Sequence, residues 1–161
     1  MKLELTGVVS NNGPRVEIDE YVPITVHWST YESLRRAPRC LMIDAGGSTI
    51  ELKLDAESGV VAECILVDAR GVTRVDLPIA LPPEIEDGIP VIEISDPADE
   101  ESPGGVYLHE NGLDIRLSEG LIERGVRAGG VIFGFSAQRQ LLGVTVRLGA
   151  ADLHQLGKVI L

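Results

Sequence analysis

The chain has 161 residues, 44% of them apolar, and 14 Lys+Arg against 25 Asp+Glu give it a formal net charge of −11. A length of this order suits one globular domain that needs neither disulfide nor metal to hold a core. The acidity argues against a nucleic acid or an anionic membrane as partner, because both are bound by neutralising phosphates with Lys and Arg.

From the N-terminus, the apolar runs are short, rich in Val, Ile and Leu, and bounded by Gly, Pro, Asn or Asp, which is the punctuation of strands. Leu3 to Val9 and Arg15 to Tyr21 flank Ser10-Asn11-Asn12-Gly13-Pro14 and are expected to pair as a hairpin. Ser29 and Glu32 have capping-box spacing, so a short helix is expected to run to about Arg36 before Pro38 stops it. Ile43-Asp44-Ala45-Gly46-Gly47-Ser48-Thr49 resembles the phosphate loop of actin-like and sugar-kinase-like ATPases. That fold needs far more chain than this, so the motif reads as a hairpin turn.

Ile50-Glu51-Leu52-Lys53-Leu54 alternates apolar and charged residues and predicts a half-buried strand. After the turn Asp55 to Gly59, the run Val60 to Val67 returns. An offset of 81 residues brings Ile50, Leu52 and Leu54 onto Val131, Phe133 and Phe135, the turn onto 136–140, and Val60 to Val67 onto Leu141 to Leu148. In that alignment Glu63 falls on Val144. The pattern is a weak internal repeat of one hairpin type. It suggests a single domain over 1–161 with two similar β halves, about 1–82 and 105–161, joined by an acidic loop segment at 83–104.

That segment carries eight carboxylates, Glu84, Glu86, Asp87, Glu93, Asp96, Asp99, Glu100 and Glu101, and no Lys or Arg lies between Arg74 and Arg116. Val91-Ile92-Glu93-Ile94 has the makings of a strand, and Asp96 to Gly105 reads as a loop. The stretch Asp96 to Glu101 lacks the alternating Asp and central Gly of an EF-hand, so a solvated acidic face is preferred to a Ca²⁺ site. Beyond it, the strands expected at 106–108, 112–117, 121–127, 131–135 and 141–148 connect most simply as an antiparallel meander, and a short helix at 150–156 is ended by Gly157.

Gly112-Leu113-Asp114-Ile115-Arg116-Leu117-Ser118, Gly130 to Phe135 and Leu141 to Val146 resemble a family of short uncharacterised bacterial β-meander domains, over residues 106–150. The chain departs from that pattern at Gly134 and Ser136, where the family has acidic turn residues, and at Gln140, where it has glycine. The resemblance implies a β-meander and carries no activity.

The expected fold is mostly β, with antiparallel sheets as a sandwich or flattened barrel and one or two short helices. Its expected core is Leu52, Leu54, Ile65, Val67, Ile115, Leu117, Phe133, Phe135, Val144 and Val146, and Pro14, Pro23, Pro82 and Pro90 are positioned to blunt edges. Cys40 and Cys64 read as buried free thiols in a reducing cytoplasm, and no leader or membrane span is evident. His27, His109 and His154 share no metal-ligand spacing, and no nucleophile elbow occurs, so no cofactor, metal or catalytic residue is expected. The preferred reading is a non-enzymatic interaction module. Its acidic face would meet a basic protein, a toxin-neutralising immunity protein being one form. The alternatives are a ligand binder or hydrolase with a pocket between the halves, using Asp44, Asp114 and His109, and a self-assembling domain that buries Ile132 or Leu141 in a homo-oligomer.

Overall fold

The computed structural model describes residues 1–10, 13–96 and 104–161. Asn11, Asn12, Asp99, Glu100 and Glu101 lie outside the described residues. Among the described residues the fold is mostly β, with antiparallel sheets, two helices and no closed barrel. Its elements are β1 (Lys2–Val9), β2 (Arg15–Ile18), β3 (Ile24–His27), α1 (Ser29–Glu32), β4 (Arg39–Ala45), β5 (Ser48–Leu54), β6 (Val61–Asp68), β7 (Thr73–Arg74) and β8 (Glu84–Asp87). There follow β9 (Ile89–Asp96), β10 (Gly105–His109), β11 (Gly112–Arg116), β12 (Arg124–Ala128), β13 (Val131–Phe135), β14 (Leu141–Arg147) and α2 (Ala150–Ile160).

The first sheet has the order β2-β3-β6-β5-β4, and the second has β7-β10-β11-β14-β13-β12-β8. Five strands thus recur in the same order eight strands later, each set a Greek key in which β3 or β11 lies beside the last strand of a three-strand meander. The simple meander expected for the last third is therefore replaced by a connection that carries the chain from β11 past two strands to β12. Pairing registers agree as well. Leu52 faces Cys64 and Phe133 faces Val144, and both β5 and β13 have an irregularity just before their last residue, at Lys53/Leu54 and Gly134/Phe135. The turn at 55–60 is one residue longer than that at 136–140, so Glu63 corresponds to Gly143 and not to Val144.

β1 does not pair with β2. It pairs antiparallel with β9 in a two-stranded ribbon, Leu5 opposite Ile92. Leu3 and Leu5 need an apolar face to cover them, and Ile89 and Ile92 supply it. β2 turns instead into β3 through a tight link in which Asp19 Oδ1 accepts the Tyr21 N–H at 2.8 Å. The ribbon stitches the two sheets together. The Leu5 N–H donates to Arg139 O and the Ile92 N–H to Gly59 O, each at 2.9 Å, at corresponding turns of the two sheets. Segment 84–96, expected as part of a connecting loop, is strand apart from Gly88.

The inner faces of both sheets and the ribbon form one continuous core. Trp28 and Phe133 meet across it, their ring centroids 5.7 Å apart, and Trp28 Nε1 donates to Ala128 O at 3.4 Å. Eight of the ten expected core residues are buried there. Ile65 and Val67 are not, because the register of β6 turns Cys64 and Leu66 inward beside Leu52 and Ile50. Ile132 and Leu141 are already buried within the chain, so they leave nothing exposed for a dimer to cover.

Both helices differ from expectation. α1 ends at Glu32, and Trp28, not Ser29, occupies its N-cap with no side-chain bond. Burial of Trp28, whose N–H donates to Ala62 O at 3.0 Å, fixes the start of the turn more firmly than the hydroxyl does. α2 runs through Gly157 to Ile160. Gly157 is helical there and does not end the helix.

Candidate functional site

Three arrangements of polar side chains stand out. The first is a row across the outer face of the first sheet, in which Arg15 faces His27, His27 faces Glu63, Glu63 faces Lys53 and Lys53 faces Cys40. α1 lies over it and brings the Tyr31 ring to 5.7 Å from Lys53 Nζ and 5.9 Å from the His27 ring. Lys53 Nζ is 3.2 Å from Glu63 Oε2 and 3.7 Å from Glu51. Glu63 Oε2 is buried without a well-formed hydrogen bond, so the pair is held by charge.

The chemistry of this row is that of a structural ion pair. Burial works to lower the Lys53 pKa, but Glu63 and Glu51 outweigh it and hold the ammonium above its ordinary range. A Schiff-base or general-base lysine needs the opposite shift. Burial and the neighbouring Glu51 also raise the Cys40 thiol, which is exposed on the edge of β4 and not buried as its apolar run suggested. Cys64 is fully buried, and desolvation pushes it up to about 12. Both shifts disfavour the thiolate form. At the corresponding positions the second sheet has Gly105, Arg116, Gly143, Gly134 and Gly125. A Cβ on Gly134 would come within 2.7 Å of Ile122 and one on Gly143 within 3.7 Å, so Ile122 lies over these two, while Pro82 lies over Gly125.

The second arrangement is a cleft of about 460 Å³ between α2 and the end of the second sheet. Arg74, His109, His154 and Lys158 line it together with Asp76 and Glu110, over apolar Leu108 and Leu153. His109 Nδ1 lies 3.0 Å from Leu77 O, so it carries the proton, and Nε2 is the remaining ring nitrogen. Sequence spacing carried no sign that His109 and His154 line one cleft, because they lie on β10 and α2, 45 positions apart in sequence. Of the residues expected to line a pocket between the halves, His109 lines this cleft and neither Asp44 nor Asp114 does. Asp44 accepts the Gly47 N–H at 3.3 Å inside the β4–β5 hairpin. In that turn Gly46, at φ +63°, is pressed onto the Gly104 backbone, and buried Ser48 bonds both backbone groups of Arg70. The phosphate-loop-like sequence is therefore a packed turn. Asp114 lies on β11, accepts the Thr145 hydroxyl at 3.2 Å, and is raised in pKa by burial against the lowering pull of Arg116.

The third arrangement holds the described acidic residues. Glu84, Glu86 and Asp87 lie exposed on β8 at the edge of the second sheet. Two of them meet arginines of β12: Arg127 grips Asp87 with two bonds of 2.7 and 3.3 Å, and Arg124 lies 3.8 Å from Glu84. Arg127 keeps the Asp87 carboxyl below its ordinary range. Glu93 and Asp96 lie on β9, and Glu93 is opposite Glu4 across the ribbon. Like charges directly opposite each other destabilise a ladder. A groove beside the ribbon is lined by Glu93, Asp55, Glu57, Thr6 and Ser58, with Arg39 at its border, and a second by Lys2, Glu4, Ser95 and Gln140. Glu4 was not legible as a site residue, since its partner is 89 positions away in sequence.

Among the described residues, no group of three His, Cys, Asp or Glu stands together as a metal site, and no helix is long and apolar enough to cross a membrane. No protein-family model matches the chain, and no curated protein does.

Proposed function

We propose that the protein is a non-catalytic interaction module that presents the β1–β9 ribbon and its flanking acidic edge to a basic protein, in the reducing cytoplasm of a bacterium. The observation that carries this reading is the opposed pair Glu4 and Glu93. A ladder that keeps two carboxylates face to face forgoes stability of about 0.2–1 kcal/mol, which a partner's Arg or Lys between them would restore. The groove beside the ribbon adds Asp55 to the same field, while Glu57 there is paired with Arg36 at 3.2 Å. Such a field steers a basic partner and raises its association rate. A toxin-neutralising immunity protein that covers a basic cleft is one concrete form. Two free cysteines suit a reducing compartment.

The test is titration with an arginine-rich peptide at rising salt, comparing Glu4→Gln/Glu93→Gln with Glu17→Gln/Glu20→Gln, a change of equal charge elsewhere. Binding that weakens with salt, and weakens much more in the ribbon variant than in the control, supports the reading. Equal loss in both variants, or no binding, overturns it.

A second reading, a small-ligand binder, has the α2 cleft in its favour. Arg74 and Lys158 above Leu108 and Leu153 suit an amphipathic anion. Movement of the His109 and His154 ring resonances on adding benzoate supports it, and unmoved resonances at millimolar ligand remove it.

A further inference from the structure

The two sheets match strand for strand, yet their outer edges are treated differently. β12 corresponds to β4, and its outer edge is covered: β8 lies parallel to it, with Glu84 opposite Arg124 and Asp87 opposite Arg127. β4 ends the first sheet, with no strand beyond it among the described residues. It is also an edge without the usual protection. It is seven residues long, its pairing with β5 is regular throughout, it contains no proline or lysine, and Met42 in its middle is 53% exposed. The other ends of the two larger sheets are short strands, four residues in β2 and β8 and two in β7, and Gln155 of α2 bonds the last carbonyl of β2.

We infer that the outer edge of β4 is a docking site for an extended segment of another protein, added parallel to β4 as β8 is added to β12, with a carboxylate opposite Arg39 and an apolar side chain opposite Met42. The register supplies the chemistry. Arg39 corresponds to Arg124, the partner of Glu84, so the same acidic residue suits both positions. Exposed Arg35 and Arg36 lie just before it, and Arg36 is paired with Glu57 at 3.2 Å, which leaves Arg39, with no ion-pair partner among the described residues, to meet the carboxylate. Met42 corresponds to Arg127, whose partner is Asp87. A thioether gives a carboxylate nothing to pair with and favours an apolar contact. The segment recognised therefore reads acidic-x-x-apolar, where β8 itself reads acidic-x-x-acidic. Main-chain bonds supply the affinity of such an added strand, and the alternate side chains its specificity. Arg39 shares the groove beside the ribbon with Glu57 and Glu93, whereas Met42, which sets the apolar half of the motif, lies outside that groove.

The experiment uses the full chain and two synthetic heptapeptides, residues 82–88 as they stand and the same segment with Asp87→Leu, followed by fluorescence anisotropy. The Leu peptide is expected to bind the native chain about fivefold more tightly than the unaltered one, the scale of one exposed ion pair or apolar contact. Met42→Arg reverses the preference, Arg39→Glu weakens both peptides, and backbone N-methylation of either peptide abolishes binding. Met42 is exposed, so Met42→Arg retains the fold, which its melting temperature checks. Absence of binding by both peptides, binding indifferent to N-methylation, or an unchanged preference in Met42→Arg overturns the inference. So does sedimentation of the native chain as a dimer that Met42→Arg dissolves, because the occupant is then a second copy. The preference between the two peptides is set at Met42, outside that groove, and is expected to be unchanged by Glu4→Gln/Glu93→Gln, so failure here and failure of the acidic ribbon are read separately.

Discussion

Trp28→Ala is the sharpest test of whether the two sheets share one core. The side chain is 1% exposed and packs on Phe133 of the other sheet at 5.7 Å. Truncating a buried Trp costs about 3–5 kcal/mol, lost transfer energy and cavity together. The lost bond from Nε1 to Ala128 O falls within that range, since at 3.4 Å it is long and contributes at the low end of about 0.5–1.5 kcal/mol. In a chain of this size 1 kcal/mol moves the melting temperature by about 2–4 °C, so a fall of about 6–20 °C is expected. Urea unfolding followed by fluorescence of the three tyrosines and by circular dichroism is expected to remain one transition, shifted to lower urea. With Phe133→Leu, a double-mutant cycle should return about 0.5–1.5 kcal/mol of coupling. Two separate transitions in the native chain, or a loss under 1 kcal/mol, would refute the shared core.

Asp114→Asn is expected to stabilise the protein near neutral pH, measured by chemical denaturation. Burial raises this carboxyl in the folded state, so its contribution is favourable below the ordinary value of 3.8 and lost as pH rises through the folded value. The gain should therefore shrink on acidification toward that value, and a variant less stable at pH 7 would contradict it. Cys64 obeys the same sign: its thiol is raised from 9.0 to about 12, so stability falls between those limits as pH rises. Cys64→Ala is expected to flatten that alkaline loss while costing stability at pH 7; an equally steep loss in the variant would place its origin elsewhere. Gly134→Ala drives a methyl to 2.7 Å from Ile122 Cδ1 and is expected to cost about 1–3 kcal/mol of overpacking. Ile122→Val should recover part of it in the double variant, and strict additivity would argue against the contact.

Much of the β architecture was legible, because Ile50, Leu52 and Leu54 and their counterparts Val131, Phe133 and Phe135 alternate cleanly. Period 2 identifies a strand's inner face but not its neighbour. Leu3 and Leu5 read equally well as half of a local hairpin, and only the burial offered by Ile89 and Ile92 decides for β9. The β6 run is apolar on both faces, so its parity followed from the longer turn at 55–60, which periodicity does not register. Gly157 reads as a helix end, yet it lies inside α2. The acidic stretch was visible as composition, while the opposition of Glu4 to Glu93 is a product of the ribbon pairing. The charged row from Arg15 to Cys40 was visible only as the mismatch of Glu63 in the repeat.

Amide hydrogen exchange of the protein with and without a bound basic partner bears most directly on the proposed role. Slowed exchange in residues 2–9 and 89–96, with the amides around the α2 cleft unchanged, is the predicted result. Protection confined to α2 and β10, with the ribbon untouched, would contradict it.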